Sequence, residues 1–475
     1  ANEGMLFENA YVTNSICSPS RAVALTGKFS HLNGVRDNLD VFDSTQVTFP
    51  KILQKNGYET AVVGKWHLKS EPTGFDFWKV LPDQGHYYNP EFRTTNGIVK
   101  EDGYVTDVTT DIAIQYLDSI RNKKKPFLLM YHHKAPHRQW WPSMKDLEAY
   151  KDAEIPSPAT LYDTYVNRGT AAKEAEMRIG DHMALSADNK IHPDLLEKMN
   201  LEEFMDWYES AYLERYNRLS DEEKKKWDEV YGPINENFEK NPPKGKALTF
   251  WKYQRYMQDY LGTLKSVDRN IGRLLDYLDE NGLAKNTIIV YTSDQGFYLG
   301  EHGWFDKRFM YEPSFRTPLI MRYPQMIKVK SKNQDLVQNL DFAPTLLDFA
   351  GAEIPKEMQG KSMLPLFEEG NSSWRDALYY HYYEYPGIHM VKRHYGIRTE
   401  RYKLIHFYYD VDEWELYDLK EDPDEMNNVY GHSDYKKVQD MMHKRLEEIR
   451  TKYKDSDSLN EKWIKHDLER LKEKK

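Results

Sequence analysis

Three short apolar runs, separated by long stretches of helical pattern, constrain the fold of this chain more than any other feature. They occupy residues 58–63, 126–131 and 287–291. Because these runs are apolar on both faces, they suit strands of a sheet that helices cover on each side. Before the third run, apolar side chains recur at spacings of three and four over residues 251–278, which predicts a helix that closes at Asn281. The sequence therefore predicts a layered α/β fold.

Composition excludes several classes of protein. With 475 residues, of which 14% are aromatic, the chain is too long to need a disulfide or metal for folding and too aromatic to be disordered. No apolar run approaches the ~18 residues of a membrane span. The 66 basic and 76 acidic residues give a net charge of −10, which disfavours general nucleic-acid binding. We therefore expect neither a membrane span nor a nucleic-acid partner.

Two changes in amino-acid composition divide the chain. Residues 146–246 are rich in charged, Tyr and Met side chains with broken apolar periodicity, which predicts a partly helical insertion lying on the surface. A polar break at residues 370–373 predicts a large domain over 1–370 and a smaller subdomain over 371–475. The subdomain carries three strand patterns and one helix pattern, at residues 396–399, 402–407, 415–419 and 435–453.

The only cysteine of the chain begins the most specific motif. Cys17 is followed by Ser-Pro-Ser and Arg21, and Leu-Thr-Gly-Lys follows at residues 25–28. A single cysteine cannot form an intramolecular disulfide, so Cys17 is a buried apolar residue, a reactive thiol or a modification site. Arg21 lies one helical turn after Cys17 if Pro19 begins a helix, and a helix N-terminus favours an anion.

Further motifs with lysine and histidine lie at or near the ends of the predicted strands. They are Gly-Lys-Trp-His-Leu at 64–68, His-His-Lys-Ala-Pro-His at 132–137, Ser-Asp-Gln-Gly at 293–296 and Gly-Glu-His-Gly at 300–303, with Lys307 beyond. Lysines clamp anionic oxygens, and imidazole transfers protons near neutral pH. Asp294 and Gln295 offer oxygen ligands to a hard divalent cation, for which we expect Ca²⁺.

These motifs, in this order, resemble those of the type I sulfatases, in which the motif cysteine is oxidised to formylglycine. The resemblance extends from Glu3 to beyond Leu419. It implies an alkaline-phosphatase-like α/β/α sandwich with a large mixed sheet, and a smaller C-terminal α+β domain with an antiparallel sheet. It also implies a sulfated carbohydrate as substrate, a formylglycine-generating maturase as partner, and a periplasmic or secreted location.

The resemblance also implies the roles of individual residues. One hydroxyl of the formylglycine hydrate attacks sulfur, and the other later expels sulfate as the aldehyde forms again. His67 assists that release, His137 contacts the ester oxygen, and Lys307 shares protonation of the leaving group. The implied catalytic residues are Cys17, Arg21, Lys65, His67, His137 and Lys307, and the implied metal ligands are Cys17, Asp294 and Gln295. Supporting positions are expected for His132, His133 and His302.

One element of the family pattern is missing from the sequence. The family has an opening strand that ends in two aspartates, which supply two more metal ligands, and the resemblance places this pair before Glu3. The aspartates at 37, 40 and 43 follow the cysteine motif, in the wrong context to replace the pair. Either the mature enzyme is longer than this chain, or the chain is a fragment with an impaired metal site.

The substrate class depends on a block rich in Tyr, His and Arg at residues 381–398. It resembles bacterial sulfatases that act on 6-O-sulfated N-acetylglucosamine of host glycans or glycosaminoglycans. Arg393 and His394 in this block, together with Asp306 and Arg308 beside Lys307, are the candidate substrate-binding residues. Two alternatives stay open: a phosphate or phosphonate monoester hydrolase of the same fold, and a noncatalytic protein that binds sulfated glycans.

Overall fold

The computed structural model describes residues 2–368 and 374–472. The predicted boundary at residues 370–373 lies outside the described residues. The strands are β1 (Met5–Phe7), β2 (Ala10–Tyr11), β3 (Glu59–Lys65), β4 (Phe77–Leu81), β5 (Glu91–Thr94), β6 (Gly97–Lys100), β7 (Phe127–His132), β8 (Ile289–Thr292), β9 (Tyr298–Leu299), β10 (Phe305–Asp306), β11 (Leu319–Arg322), β12 (Ser331–Asn333), β13 (Val337–Gln338), β14 (Ala377–Tyr382), β15 (His394–Thr399), β16 (Tyr402–Phe407) and β17 (Glu413–Asp418).

Most helices fall between these strands or after the last of them. The α-helices are α1 (Cys17–Thr26), α2 (Ser30–Asn33), α3 (Phe49–Lys55), α4 (Val105–Ile120), α5 (Thr170–Glu174), α6 (Ile179–His182), α7 (Pro193–Met199), α8 (Trp207–Tyr216), α9 (Asp221–Lys240), α10 (Lys246–Glu280), α11 (Glu312–Phe315), α12 (Phe342–Phe349), α13 (Lys436–Lys452) and α14 (Asp457–Lys472).

The three predicted runs form β3, β7 and β8, and hydrogen bonds divide the central strands between two mixed sheets. One has the order β6-β5-β4-β3-β7, with β3 parallel to β4 and β7. The other has the order β12-β1-β11-β8. The strands β7 and β8 are therefore edges of separate sheets within the described part of the chain, and the large mixed sheet expected from sequence is split at this point.

Strand β3 shows how the layers form. All its residues are buried, and successive side chains point to opposite faces of a strand. Val62 packs with α1, α3 and α12, whereas Ala61 and Val63 pack with α4 and the core beyond it. Helices therefore cover both faces, as the uninterrupted apolar pattern predicts.

The long helix is confirmed and is longer than its apolar pattern. Residues 251–278 carry the periodicity, while α10 extends from Lys246 to Glu280. Asn281 closes the helix, with its backbone N–H bonded to the Tyr277 carbonyl at 3.2 Å. The C-terminal extension, Asp279 and Glu280, is polar, so the apolar pattern could not define that end.

The insertion at residues 146–246 contains helices, as predicted, and parts of it enter the core although much of it is exposed. It contains α5 to α9, and its aromatic and charged side chains enter the core. Trp227 is fully buried and stacks on Trp141 at 4.0 Å. Arg138 pairs with the fully buried Asp188 at 2.7 Å. The insertion thus supplies core structure, which its charged composition concealed.

The C-terminal part forms the predicted antiparallel sheet, with the order β14-β15-β16-β17. Its first strand, β14, was not predicted as a strand, although all six of its residues are buried. Helix α13 packs on the sheet through Met442, Leu446 and Ile449. No helix within residues 2–368 and 374–472 is long and apolar enough to cross a membrane.

Candidate active site

Cys17 is the first residue of α1 and is 1% exposed. The helix begins two residues before Pro19, where the sequence pattern placed its start. The residue before the helix offers no side-chain cap, and the Ser18 N–H donates instead to Oδ1 of Asn38 at 3.1 Å. Arg21 lies one turn further on, as predicted. The thiol therefore sits at a buried helix N-terminus, a position that favours negative charge.

Two lysines from distant parts of the chain converge on Cys17. Lys65 ends β3 and Lys307 follows β10, and both are almost fully buried. Burial alone would raise the pKa of the Cys17 thiol, but Lys65, Lys307 and a hydrogen bond with His67 lower this pKa to about 6. The environment of residue 17 therefore stabilises an anion.

Arg21 connects the cysteine helix to the end of β8. Its Nε donates to Oδ2 of Asp294 at 2.9 Å, and its Nη1 donates to the Lys65 carbonyl at 2.8 Å. Burial would raise the pKa of the Asp294 carboxyl, but Arg21, Lys65 and Lys307 hold this pKa below its usual range. Asp294 is thus held as a carboxylate beside the three cations.

The residues proposed as metal ligands offer suitable atoms. Gln295 is 9% exposed, and its Oε1 has no hydrogen-bond partner. A buried amide oxygen without a partner suits a hard cation, as does the Asp294 carboxylate. Among the described residues, no group of three or more His, Cys, Asp or Glu side chains could hold a metal ion. The donors fit the expected ion in type, and this part of the chain supplies an incomplete set.

His67 is held from both sides of its ring. The Ser18 hydroxyl lies 3.3 Å from Nδ1 and donates to the His67 carbonyl at 2.5 Å. On the other side, Nε2 lies 3.1 Å from Oδ1 of Asp83 and 3.0 Å from Nε2 of Gln84. Sequence reasoning missed Asp83 and Gln84, although a polar pair before Gly85 at a strand end resembles the pattern that identified Asp294.

His137 faces the same group of cations. Its Nδ1 donates to the Arg138 carbonyl, so the neutral ring presents the lone pair of Nε2. Burial, Lys65, Lys307 and Lys134 hold the pKa of His137 well below its usual value. In the free protein His137 is therefore neutral and accepts, rather than supplies, a proton at Nε2.

Lys134 is a buried cation that sequence reasoning did not select. Its Nζ donates to the Gln84 carbonyl at 3.1 Å and lies 4.7 Å from the Tyr87 ring centroid. Burial and the neighbouring Lys65 hold the pKa of Lys134 well below its usual value. Its position in the sequence motif, between His133 and His137, could have identified Lys134 as a site residue.

Of the three histidines expected in supporting positions, His302 is buried and His132 and His133 are partly buried, and each makes polar or ring contacts. His132 lies 3.2 Å from the Lys65 carbonyl, and burial together with Arg21 lowers its pKa to about 3. His302 receives a hydrogen bond from Arg168 at 2.7 Å. His133 packs on Tyr131 at 4.3 Å between ring centroids.

Of the candidate substrate residues, two lie beside the lysine of the site. Oδ1 of Asp306 lies 3.3 Å from Nζ of Lys307, and Oδ2 lies 3.2 Å from Nε2 of His389. Arg308 donates from Nη1 to Glu384 at 2.5 Å. His389 and Glu384, both from the C-terminal part, were not among the predicted site residues. Both lie within the block rich in Tyr, His and Arg at residues 381–398.

The other two candidates, Arg393 and His394, make their polar contacts with other residues of the protein. Arg393 is 2% exposed and pairs with Asp467 of α14 at 2.7 Å. His394 is fully buried; its Nε2 accepts from the Met310 N–H at 3.1 Å, and its Nδ1 donates to the Lys392 carbonyl at 2.8 Å. Their substrate contact stays a prediction, and Nη1 of Arg393 is buried without a hydrogen-bond partner.

The cationic pocket, the order of the motifs and the layered fold define a sulfuric ester hydrolase, and comparison with protein families agrees. The sulfatase family matches residues 1–352, and a family described as N-sulphoglucosamine sulphohydrolase, C-terminal, matches residues 300–452. The chain belongs to the sulfatase family, which uses formylglycine and has the alkaline-phosphatase-like fold.

Individual relatives narrow the class to sulfatases that act on carbohydrates. The chain is 52% identical to an N-acetylglucosamine-6-O-sulfatase of Bacteroides thetaiotaomicron, over 96% of this chain and 82% of the relative. It is 26% identical to the N-acetylglucosamine-6-sulfatase of Bos taurus, over 90% of this chain and 74% of the relative.

Solved structures agree with this similarity. One, described as a complex with its substrate D-glucosamine-2-N,6-O-disulfate, superposes with a TM-score of 0.92 at 51% identity, covering 96% of this chain and 92% of that one. A phosphonate monoester hydrolase of Agrobacterium radiobacter shares the fold alone, with a TM-score of 0.62 at 20% identity, over 95% of this chain and 89% of that one.

Proposed function

We propose that this protein removes the 6-O-sulfate from N-acetylglucosamine of a host glycan or glycosaminoglycan, after Cys17 has been converted to formylglycine. The observation that carries the proposal is the convergence of Lys65 and Lys307 on Cys17 at the start of α1. An anion-stabilising environment around a convertible cysteine fits a nucleophile that meets a sulfate group. The 52% identical relative supports the choice of substrate.

The proposal assigns separate catalytic roles to the residues of this chain. Lys65 and Lys307 neutralise sulfate oxygens, and Arg21 fixes the first turn of α1 against Asp294. His67 contacts residue 17 and moves a proton there when sulfate leaves. His137 contacts the ester oxygen of the substrate, and the ammonium of Lys307 donates the proton that the leaving alkoxide takes up. Formylglycine, when present, supplies a hydrated aldehyde as nucleophile and a route to release sulfate.

The proposal includes one Ca²⁺ held by oxygen atoms. Asp294 and the unpartnered oxygen of Gln295 would hold it, together with an oxygen of the modified residue 17. A bound cation would supply further charge neutralisation for the sulfate group. Titration of the protein with Ca²⁺, followed by calorimetry, tests this part of the proposal.

Asp306 and Arg308 would recognise the sugar. Both are at most 5% exposed and lie beside Lys307, and Nε of Arg308 has no hydrogen-bond partner. A buried donor without a partner suits a sugar hydroxyl that arrives with the substrate. His389, which contacts Asp306, joins this group in the proposal.

Two further parts of the proposal depend on family membership. A formylglycine-generating maturase must act on Cys17 before the protein is active, and we place the protein in the periplasm or outside the cell. Fractionation of host cells, with this protein detected by antibody, tests the second point.

Sulfate release from N-acetylglucosamine 6-sulfate by protein purified from its host tests the substrate directly. Glucosamine N-sulfate and N-acetylglucosamine 6-phosphate serve as parallel substrates, and a Cys17→Ala protein serves as the blank. We expect sulfate from the 6-sulfate alone. Faster turnover of the phosphate would favour a phosphate monoester hydrolase, and binding of the 6-sulfate without turnover would favour a noncatalytic glycan-binding protein.

A further inference from the structure

The carboxylate of Glu384 bridges two segments that border the site. Its Oε1 accepts a hydrogen bond from Nη1 of Arg308 at 2.5 Å, and its Oε2 accepts one from the backbone N–H of Asn38 at 3.2 Å. The Glu384 side chain is 12% exposed. A carboxylate this buried binds cationic and N–H donors strongly, because water competes little for it.

On one side, Glu384 secures a strained segment. The backbone φ angle is 72° at Asp306 and 109° at Arg308, in the region that non-glycine residues rarely adopt. Such strain persists only where the surroundings hold it. The backbone N–H of Arg308 donates to Oγ of Ser314 at 2.7 Å, and Nη1 donates to the Tyr382 hydroxyl at 3.2 Å as well as to Glu384.

These contacts leave the Nε edge of the Arg308 guanidinium without a hydrogen-bond partner. Nε is buried without a hydrogen-bond partner, and its ion-pair distance to Oδ1 of Asp306 is 3.8 Å. Since Nη1 is held by Glu384 and Tyr382, the direction of the Nε–H bond is fixed by them. Arg308 is thus oriented before any ligand arrives.

On the other side, Glu384 secures the start of the cysteine helix. The N–H that it binds belongs to Asn38, and Oδ1 of Asn38 accepts from the Ser18 N–H at 3.1 Å. Ser18 follows Cys17 in the first turn of α1. One carboxylate therefore links the guanidinium beside Lys307 to the loop that caps the nucleophile's helix.

We propose that Glu384 is a positioning residue that sets the sugar-recognising direction of Arg308 and its distance from the reacting centre. It acts through Arg308 and Asn38. The nearby Asp306 cannot take over this task, because Lys307 and His389 already share its two oxygens. This inference rests on the proposed function, since it assigns Arg308 to the sugar and the lysines to the sulfate.

A positioning role and a purely structural role predict different kinetics. If Glu384 has a positioning role, its loss displaces Arg308, which weakens binding of the sugar and leaves the sulfate-binding lysines in place. If its role is purely structural, its loss disturbs the whole site and weakens binding of both the sugar and the sulfate group. The two ends of the substrate can be measured separately, because inorganic sulfate competes for the sulfate end alone.

The experiment compares wild type with Glu384→Ala, Glu384→Gln and Glu174→Ala, all carrying formylglycine. Glu174 pairs with Lys392 and has a 54% exposed side chain, so it controls for loss of a carboxylate from the same region. We measure KM for N-acetylglucosamine 6-sulfate and the inhibition constant of inorganic sulfate. For Glu384→Ala we expect KM to rise on the order of 10- to 100-fold, since small displacements of an oriented group cost this much.

The inhibition constant of sulfate should stay within about twofold in every variant, because the hydrogen bonds of Glu384 reach Arg308 and Asn38 and neither of the sulfate-binding lysines among the described contacts. Glu384→Gln, whose amide oxygen still accepts from Arg308, should show a smaller rise in KM than Glu384→Ala. If the alanine variant does not fold, the glutamine variant provides the test. Equal losses in KM and sulfate affinity, or an unchanged KM in both variants, would overturn the proposal. Failure of wild type to release sulfate from this sugar would instead overturn the proposed function.

Discussion

The guanidinium of Arg21 lies 2.9 Å from the carboxylate of Asp294, although 273 residues separate the two in the chain. The contact joins the first turns of α1 to the end of β8. It orients Arg21 and neutralises part of the charge of Asp294 in a buried site. Arg21 is therefore a connecting member of the site as well as a candidate for contact with substrate.

Replacement of Arg21 by lysine should abolish most of the activity. Lysine keeps the positive charge, but all its donors are on one nitrogen, which cannot occupy the two positions from which Nε and Nη1 of Arg21 bind the Asp294 carboxylate and the Lys65 carbonyl. We expect kcat to fall on the order of 10²- to 10³-fold, as for the loss of one preorganised donor. Arg322→Lys, which alters an arginine on β11 outside the site, is the matched control. Comparable rates for the two variants would contradict the role given to Arg21.

Removal of the metal should show the contribution of Gln295. Extensive treatment with a chelator should abolish sulfate release, and Ca²⁺ should restore it. In Gln295→Leu, which lacks the unpartnered oxygen, we expect the Ca²⁺ concentration for half-restoration to rise on the order of 10- to 100-fold. The Ca²⁺-dependent rise in melting temperature provides a readout independent of activity.

The control for that experiment is Gln325→Leu, which changes an exposed amide that contacts Lys285. It should behave like wild type in both measurements. If chelation leaves both activity and melting temperature unchanged in wild type, the metal assignment is wrong.

Stability should depend on pH through a buried pair of carboxyl groups. Glu312 and Glu425 share the fully buried ammonium of Lys403, at 2.9 and 2.6 Å. Burial, together with the like charge of Glu312, raises the pKa of Glu425 to about 7 from its ordinary 4.5. A raised pKa in the folded state stabilises the protein fully below the ordinary value, and this contribution is lost as pH rises through 7.

Glu425→Gln, which stays neutral, should therefore flatten the fall in unfolding free energy between about pH 4.5 and 7. The difference in slope cannot exceed about 1.4 kcal/mol per pH unit, the limit for one proton. Urea unfolding of both proteins across this range measures it, with Glu421→Gln as a control on an exposed carboxylate. Identical slopes for wild type and Glu425→Gln would refute the prediction.

A buried arginine should anchor the C-terminal helix. Arg36 is 1% exposed, pairs with Asp467 at 2.9 Å and lies 3.9 Å from the Trp463 ring centroid. Arg36→Ala should lower the unfolding free energy by about 3–5 kcal/mol, because Asp467 loses one of its buried partners. Lys436→Ala, which breaks an exposed pair with Asp440, should cost only about 0–1 kcal/mol. Similar losses in the two variants would show that the contact carries little energy.

Sequence predicted the parts of this molecule that local pattern determines. The runs that form β3, β7 and β8 are apolar on both faces, and α10 has a regular period, so neither needs tertiary information. The contribution of the insertion to the core was not predicted, because Trp227 and Asp188 enter the core from a stretch whose average composition is that of a surface. Strand β14 was missed because its last two residues, His381 and Tyr382, begin the block that was interpreted as a substrate-binding segment.

The same reasoning explains which site residues were found. Cys17, Arg21 and Lys65 lie within motifs, whereas Glu384 and Gln84 act through contacts between distant segments that no local pattern reveals. Arg393 and His394 were predicted from their residue type, and in the structure they contact Asp467 and Met310, partners that the sequence did not indicate. Residue type and neighbourhood in sequence do not distinguish a buried structural histidine from a ligand-binding one.

The central claim is that Cys17 is the precursor of the nucleophile, and peptide mass spectrometry across residue 17 tests it most directly. The protein should come from its native host, with another sulfatase of that host known to be converted as the reference. We predict that sulfur is exchanged for oxygen with loss of two hydrogens at residue 17, in the fraction that releases sulfate from N-acetylglucosamine 6-sulfate. An unmodified cysteine in an active preparation, or in a host that converts the reference protein, would contradict the account.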